Sequence, residues 1–197
     1  MLLGSHNSWT FGKTQWWVPS FTCRCQSLDI REQYKEGVRF FDLRLKYSPN
    51  KGWEVAHGWA IFKVFFHGDL TFLNNQKDCY VRVILEYNSK PKNEQKIIEH
   101  FRSECKTLED IYPNIKFCNG RMKYSWEIIY NFKHKEPELL DRYSSTTSLF
   151  KSDNKFLKII DDWYPKLYAK LNNKRIKEEY IKNGPFDKWL FIDFINL

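Results

Sequence analysis

Gly4-Ser5-His6-Asn7-Ser8, Phe41-Asp42-Leu43-Arg44-Leu45-Lys46 and Ala56-His57-Gly58 all fall within the first 58 residues of a 197-residue chain. Three short apolar segments deliver an imidazole, a guanidinium and a second imidazole. Two imidazoles can take a proton from one oxygen and return one to another while a guanidinium offsets the charge between them, which suits cleavage of a phosphodiester. Residues 38–45 are β-rich, and strand alternation puts Asp42 and Arg44 on the same side. Among Phe40, Phe41, Leu43 and Leu45, two buried charges need partners, so packing alone does not account for them.

Strand and helix signals alternate along the rest of the chain. A brief strand at Leu2-Leu3 is followed by a helical stretch over 29–36, the strand over 38–45 and another over 53–56. From Gly58 a loop and a mixed apolar segment run to Asn74, and 79–85 reads as a buried strand. Ile97, Ile98, Phe101 and Cys105 give residues 93–108 the spacing of an amphipathic helix. Weaker strand signals at 117–118 and 127–132 precede a long helical region over 154–183, bent at Pro165 and stopped by Gly184-Pro185, and a last strand over 189–195. The alternation, with reactive groups at strand ends, predicts an α/β fold, a small irregular TIM-type (β/α) barrel. Such barrels usually take about 250 residues, so some helices must be short or missing. No repeat, low-complexity tract or linker appears, and residues 1–197 are read as a single domain.

Composition narrows the function. No run of eighteen apolar residues occurs, so nothing is predicted to span a bilayer. The residues before Gly4 are too few for a signal peptide. The five cysteines are scattered and odd in number. Cys23 and Cys25 are too close for a zinc knuckle, and no second Cys or His pair stands at ligand spacing. They are read as thiols, which favours a cytoplasmic location with peripheral membrane association. The net charge of +8 would attract nucleic acid, an anionic membrane or an anionic substrate. No zinc-finger, basic-zipper or RNA-recognition signature is present, so nucleic acid is not expected. The basic run Lys170-Leu171-Asn172-Asn173-Lys174-Arg175-Ile176-Lys177 reads as a solvated helix face, and the protein as a monomer.

The wording of the opening motifs goes further. Gly4-Ser5-His6-Asn7-Ser8-Trp9-Thr10-Phe11 and Gln33-Tyr34-Lys35-Glu36-Gly37-Val38-Arg39-Phe40-Phe41-Asp42-Leu43-Arg44 resemble the X-region of phosphatidylinositol-specific phospholipases C, closest to the small metal-independent bacterial enzymes. Ile192-Asp193-Phe194-Ile195-Asn196 is similar to the last barrel strand of that family; residues 110–185 carry little of the likeness. The resemblance implies a phosphatidylinositol substrate on an anionic membrane surface. Its 2-hydroxyl would attack phosphorus to give inositol 1,2-cyclic phosphate and diacylglycerol, followed by opening to inositol 1-phosphate.

By the same resemblance, His6 is the general base, His57 the general acid, Arg44 the group that stabilises charge on phosphorus, and Asp193 the carboxylate that orients His6. Asn7, Asp42 and Glu86 would lie against the substrate. His67-Gly68 repeats the dipeptide of His57-Gly58 and is the weaker candidate, and His100 and His134 are read as bystanders. Two departures stand out. Asn7 replaces the aspartate of the metal-independent enzymes and supplies no charge to His57. Glu86 stands where those enzymes have lysine. No cofactor is expected, because Arg44 holds the metal's place through an ion pair with Glu86 or Asp42. The alternative is a calcium site built from Asn7, Asp42 and Glu86. Trp16-Trp17 either touches the membrane or folds over the barrel rim. Tyr124, Tyr130 and Tyr143 remain open as the residue that stacks on inositol. A catalytically weak lipid- or inositol-phosphate-binding module is the second reading of the whole chain.

Overall fold

The computed structural model describes residues 2–15, 17–141, 164–184 and 187–197. Six parallel strands form its centre: β1 (Leu3–Ser5), β3 (Val38–Ser48), β6 (Tyr80–Leu85), β7 (Lys116–Met122), β9 (Leu139–Asp141) and β10 (Trp189–Ile192). Their spatial order is β9-β10-β1-β3-β6-β7. The remaining strands are β2 (Lys13–Thr14), β4 (Gly52–His57), β5 (Ala60–Lys63) and β8 (Ile128–Tyr130). β4 folds back antiparallel on the far end of β3, and β5 and then β2 follow it. β8 pairs with β7. The ten-stranded sheet does not close among the described residues; a parallel bridge from Cys118 to His134 extends it past β7.

The architecture is the expected irregular (β/α) barrel type, pared down in its helices. α1 (Ile30–Lys35) connects β1 to β3, α2 (Phe66–Asn74) lies between the β5 hairpin and β6, and α3 (Glu94–Ile111) connects β6 to β7. α4 (Pro165–Asn183) precedes β10, whereas the stretch from β8 to β9 carries no helix.

Local signals explain the clearest elements. Asp29 and Glu32 form a reciprocal capping box at the start of α1, which satisfies two backbone donors the first turn would leave open. Ile98, Phe101, Cys105 and Leu108 form the buried stripe of α3. Gly37 takes φ 93° between α1 and β3, a conformation glycine adopts without a Cβ penalty.

Strand alternation sorts the side chains into two cores. Phe41, Leu43, Leu45, Val81, Val83 and Leu85 join the main cluster with the helices. Phe40 turns the opposite way and packs with Cys118 and Phe191, on the face that also carries Asp42 and Arg44.

Several boundaries differ from the sequence reading. The loop and mixed apolar segment read over 58–74 resolve into β5 and α2. The last strand ends at Ile192, so Asp193 sits in the turn after it and not within it. Pro165 begins α4 instead of bending it; proline's missing N–H and fixed φ suit a first helical turn. The expected helical residues 154–163 lie outside the described residues.

Gly4 sits between β10 and β3, and a Cβ there would lie 3.0 Å from Phe191 and 3.2 Å from Phe40. Gly4→Val should therefore destabilise the fold by about 1–3 kcal/mol, read as a lower urea midpoint with an unchanged m-value.

Candidate active site

β1 and β10 end side by side, and the turn after β1 brings out His6. Its backbone N–H donates to Ile192 O at 3.0 Å. Gln26 stitches the two strand ends together by donating to His6 O at 2.9 Å and Ile192 O at 3.2 Å. Ser8 fastens the turn to β3: its hydroxyl accepts from Asp42 N at 2.7 Å and donates to Ser5 O at 2.8 Å. Asn7, between them, takes a left-handed φ of 48°, which asparagine tolerates better than most residues.

His6 is held at both ring nitrogens. Nδ1 lies 2.8 Å from Asp193 Oδ1, and Nε2 lies 2.7 Å from Arg44 Nη2. A guanidinium can only donate, so Nε2 is the acceptor and Nδ1 carries the proton directed at Asp193. Asp193 is held from below by α4, where Asn173 Nδ2 donates to Asp193 O at 2.7 Å and Phe194 O at 2.9 Å. The basic run of α4 is thus only partly a solvated face: Asn172, Asn173 and Ile176 are buried, and Lys177 donates to the carbonyls of Ile195 and Leu197.

Arg44 is almost wholly buried, and besides His6 its partners are two carboxylates. Its Nε donates to Asp42 Oδ2 at 2.9 Å, and Nη1 lies 3.5 Å from Glu86 Oε2. Both ion pairs named as alternatives from sequence are present. Asp42 also accepts from Arg82 Nε at 3.1 Å and from Asn7 N at 3.1 Å. Glu86 accepts from Lys123 Nζ at 3.0 Å and Gly58 N at 2.7 Å. Burial alone would raise the Asp42 pKa, but Arg44 and Arg82 outweigh it and hold the carboxyl well below the usual carboxylate range. Glu86 is lowered in the same way, burial being outweighed by Arg44 and Lys123.

His57 ends β4 beside these groups. Its Nδ1 donates to Cys23 O at 2.8 Å, with Cys25 Sγ 3.8 Å away. A backbone carbonyl therefore does the orienting that Asn7 cannot do through charge. Burial, and then the nearby Arg44 charge, push His57 down to about 4 against the pull of Glu86.

Two solved structures share this arrangement of strands. One is a phosphatidylinositol-specific phospholipase C of Staphylococcus aureus, with TM-score 0.64 and 18% identity over 98% of this chain and 85% of that one. The other is the enzyme of Listeria monocytogenes, with TM-score 0.60 and 15% identity over 98% and 87%. This is the fold of the bacterial phosphatidylinositol-specific phospholipases C. No family model and no curated protein sequence matches the chain.

Within the phospholipase C fold, the structure brings His6, Asn7, Asp42, Arg44, His57, Glu86 and Asp193 into one connected network. It places the other candidates elsewhere. His67 lies on α2, 3.0 Å from Tyr112 OH and 4.0 Å from Glu104. His100 stacks on Tyr47, and His134 is exposed. Tyr130 donates to Glu109 on α3 at 2.8 Å, the Tyr124 hydroxyl is buried, and Tyr143 lies outside the described residues. Trp17 is half exposed and stacks on Trp59 with centroids 5.4 Å apart; Trp16 lies outside the described residues. No helix among those described is long and apolar enough to cross a membrane.

Arg82, Lys123, Glu136 and Cys25 escaped the sequence reading. Arg82 reaches from Asp42 to Glu136 Oε1 at 3.0 Å, and Glu136 also accepts from Asn119 at 2.8 Å and Arg121 at 3.3 Å. The available signal was the alternation in Tyr80-Val81-Arg82-Val83-Ile84, where an arginine in a buried strand demands a carboxylate.

Asp42 ties acid stability to this network. Its unfolded carboxyl titrates near 3.9 and its folded one lower, so the stabilisation is complete above about pH 4 and is lost as pH falls below it. Asp42→Asn should be several kcal/mol less stable at pH 7 and should show a shallower loss of stability between pH 4 and 2. Denaturant titrations across that range measure both effects.

Proposed function

We propose that this protein cleaves phosphatidylinositol-type lipids by attack of the inositol 2-hydroxyl on phosphorus, giving diacylglycerol and inositol 1,2-cyclic phosphate. The observation that carries the reading is the Asp193–His6–Arg44–(Asp42, Glu86) chain of contacts, with His57 held by Cys23 O within the influence of Arg44 and Glu86. A phosphate entering beside Arg44 competes with His6 for the guanidinium. Once Arg44 turns to the phosphate oxygens, Nε2 of His6 is released to take the 2-hydroxyl proton, and Asp193 supports the imidazolium that forms. Arg44 then offsets charge on the phosphoryl oxygens, and intramolecular attack lowers the entropic cost. His57 protonates the diacylglycerol oxygen in the first step and activates water in the second.

No metal is required in this reading. Asp42 and Glu86 do not fit calcium, because their oxygens already serve Arg44, Arg82 and Lys123, and an ion there would have to displace guanidinium and ammonium groups at once. The strip Arg82, Glu136, Asn119 and Arg121 beside Asp42 offers donors and acceptors suited to a polyhydroxylated ring.

Two exposed aromatic stacks, Trp17 on Trp59 and Phe21 on Tyr164, are suited to a lipid interface. The S. aureus structure concerns modulation of that enzyme's membrane binding, and the same peripheral association is proposed here.

Phosphatidylinositol in detergent micelles, followed by phosphorus NMR, tests the reaction. The expected product is the cyclic phosphate before the open monophosphate, with His6→Ala and His57→Ala each slower by several orders of magnitude. Direct appearance of inositol 1-phosphate, or activity retained in either variant, overturns the assignment. The pH profile adds a sign. His57 must carry a proton to act as acid, so rate falls as pH rises through its pKa. A bound phosphodiester anion favours the imidazolium, so the falling limb of kcat should lie at higher pH than that of kcat/KM.

A further inference from the structure

The Nδ1 side of His6 is occupied by more than its orienting carboxylate. His6, Cys25 and Asp193 present a ring nitrogen, a sulfur and a carboxylate oxygen that all lie within 4.8 Å of one another. Asn7 stands between them: its Nδ2 is 3.0 Å from His6 Nδ1 and 3.4 Å from Cys25 Sγ. Its Oδ1 is buried without a hydrogen-bond partner, in a side chain that is 1% exposed. A half-turn about the last side-chain bond exchanges Oδ1 with Nδ2, bringing a carbonyl oxygen to face both the nitrogen and the sulfur.

We infer that His6 Nδ1, Cys25 Sγ, Asp193 and Asn7 Oδ1 form an inhibitory site for Zn2+. Ligand atoms around a tetrahedral zinc stand roughly 3.3–3.8 Å apart, given bond lengths of about 2.0–2.3 Å, so the four groups need only small shifts. One nitrogen, one sulfur and two oxygens suit a borderline-soft ion and discriminate against calcium, which takes oxygen ligands alone. The two cysteines close in sequence gave no zinc spacing because the ligands come from three separate places: the turn after β1, the loop before α1 and the turn after β10.

Binding has a defined proton balance. A neutral imidazole keeps one ring proton, so the proton on Nδ1 moves to Nε2 as the metal takes Nδ1, and the Arg44 contact at Nε2 opens. Cys25 loses the thiol proton it donates to Cys23 O at 3.9 Å. One proton leaves for solvent as one ion binds. With Nδ1 on the metal and Nε2 protonated, a base acting through Nε2 is silenced. That last consequence rests on the function proposed above, whereas the site does not. All the ligands but His6 are wholly buried, so the ion reaches them through local opening of the loop around Cys25 and equilibrates slowly.

Co2+ added to the metal-free protein reads the site without any activity. A thiolate-to-cobalt charge-transfer band should appear in wild type and in Cys23→Ser, be absent in Cys25→Ser, and bleach as Zn2+ is added. In weak buffer at pH 7, about one proton should be released per Zn2+ bound. Cys25→Ser should weaken Zn2+ binding about 100-fold or more, and Asn7→Ala, a second variant, should weaken it measurably while keeping the band. Circular dichroism melts verify that each variant is folded. No band in wild type, a band that survives Cys25→Ser, or binding without proton release overturns the site. Cleavage that continues with Zn2+ bound would leave the site standing and overturn His6 as the base.

Discussion

The buried guanidinium of Arg44 is the constraint on which the site depends. A charge taken from water costs several kcal/mol unless it is paired and hydrogen-bonded, and Arg44 meets that cost with Asp42 on one side and Glu86 on the other. Each carboxylate is in turn too negative to be left with one partner. Asp42 recruits Arg82, and Glu86 recruits Lys123 and the Gly58 backbone. The outcome is a lattice of alternating charge spanning β3, β4, β6 and β7, in which each catalytic candidate is positioned by a neighbour that is itself fixed.

This lattice also explains how the chain accommodates its two departures from the bacterial pattern. With Asn7 in place of an aspartate, His57 is oriented by a main-chain carbonyl and sits at a depressed pKa of about 4. With Glu86 in place of a lysine, the added negative charge is matched by Lys123 from just past the end of β7. Lys123 thus supplies the positive charge that Glu86 needs beside Arg44.

Much of this was legible because it is local. The opening motif placed His6 at a strand end, and alternation in 38–45 put Asp42 and Arg44 on one face. The heptad-like stripe of 97–105 gave α3. What stayed hidden depends on contacts across the sheet. Nothing near Arg82 in sequence marks Glu136 as its partner, and nothing near Cys25 points to His6 or Asp193. Residues 58–74 mix β5 and α2 in so few turns that neither period develops, and Pro165 reads as a kink until the chain shows it opening a helix.

The claim that Arg44 does a metal's work is tested most directly by phosphatidylinositol cleavage in excess chelator, with Arg44→Ala and Arg44→Lys beside the wild type. The account predicts full turnover in chelator, loss of several orders of magnitude in Arg44→Ala, and only partial recovery in Arg44→Lys, whose single ammonium cannot span Asp42, Glu86 and a phosphate together. Turnover that appears only on adding calcium, or that survives removal of the guanidinium, would contradict it.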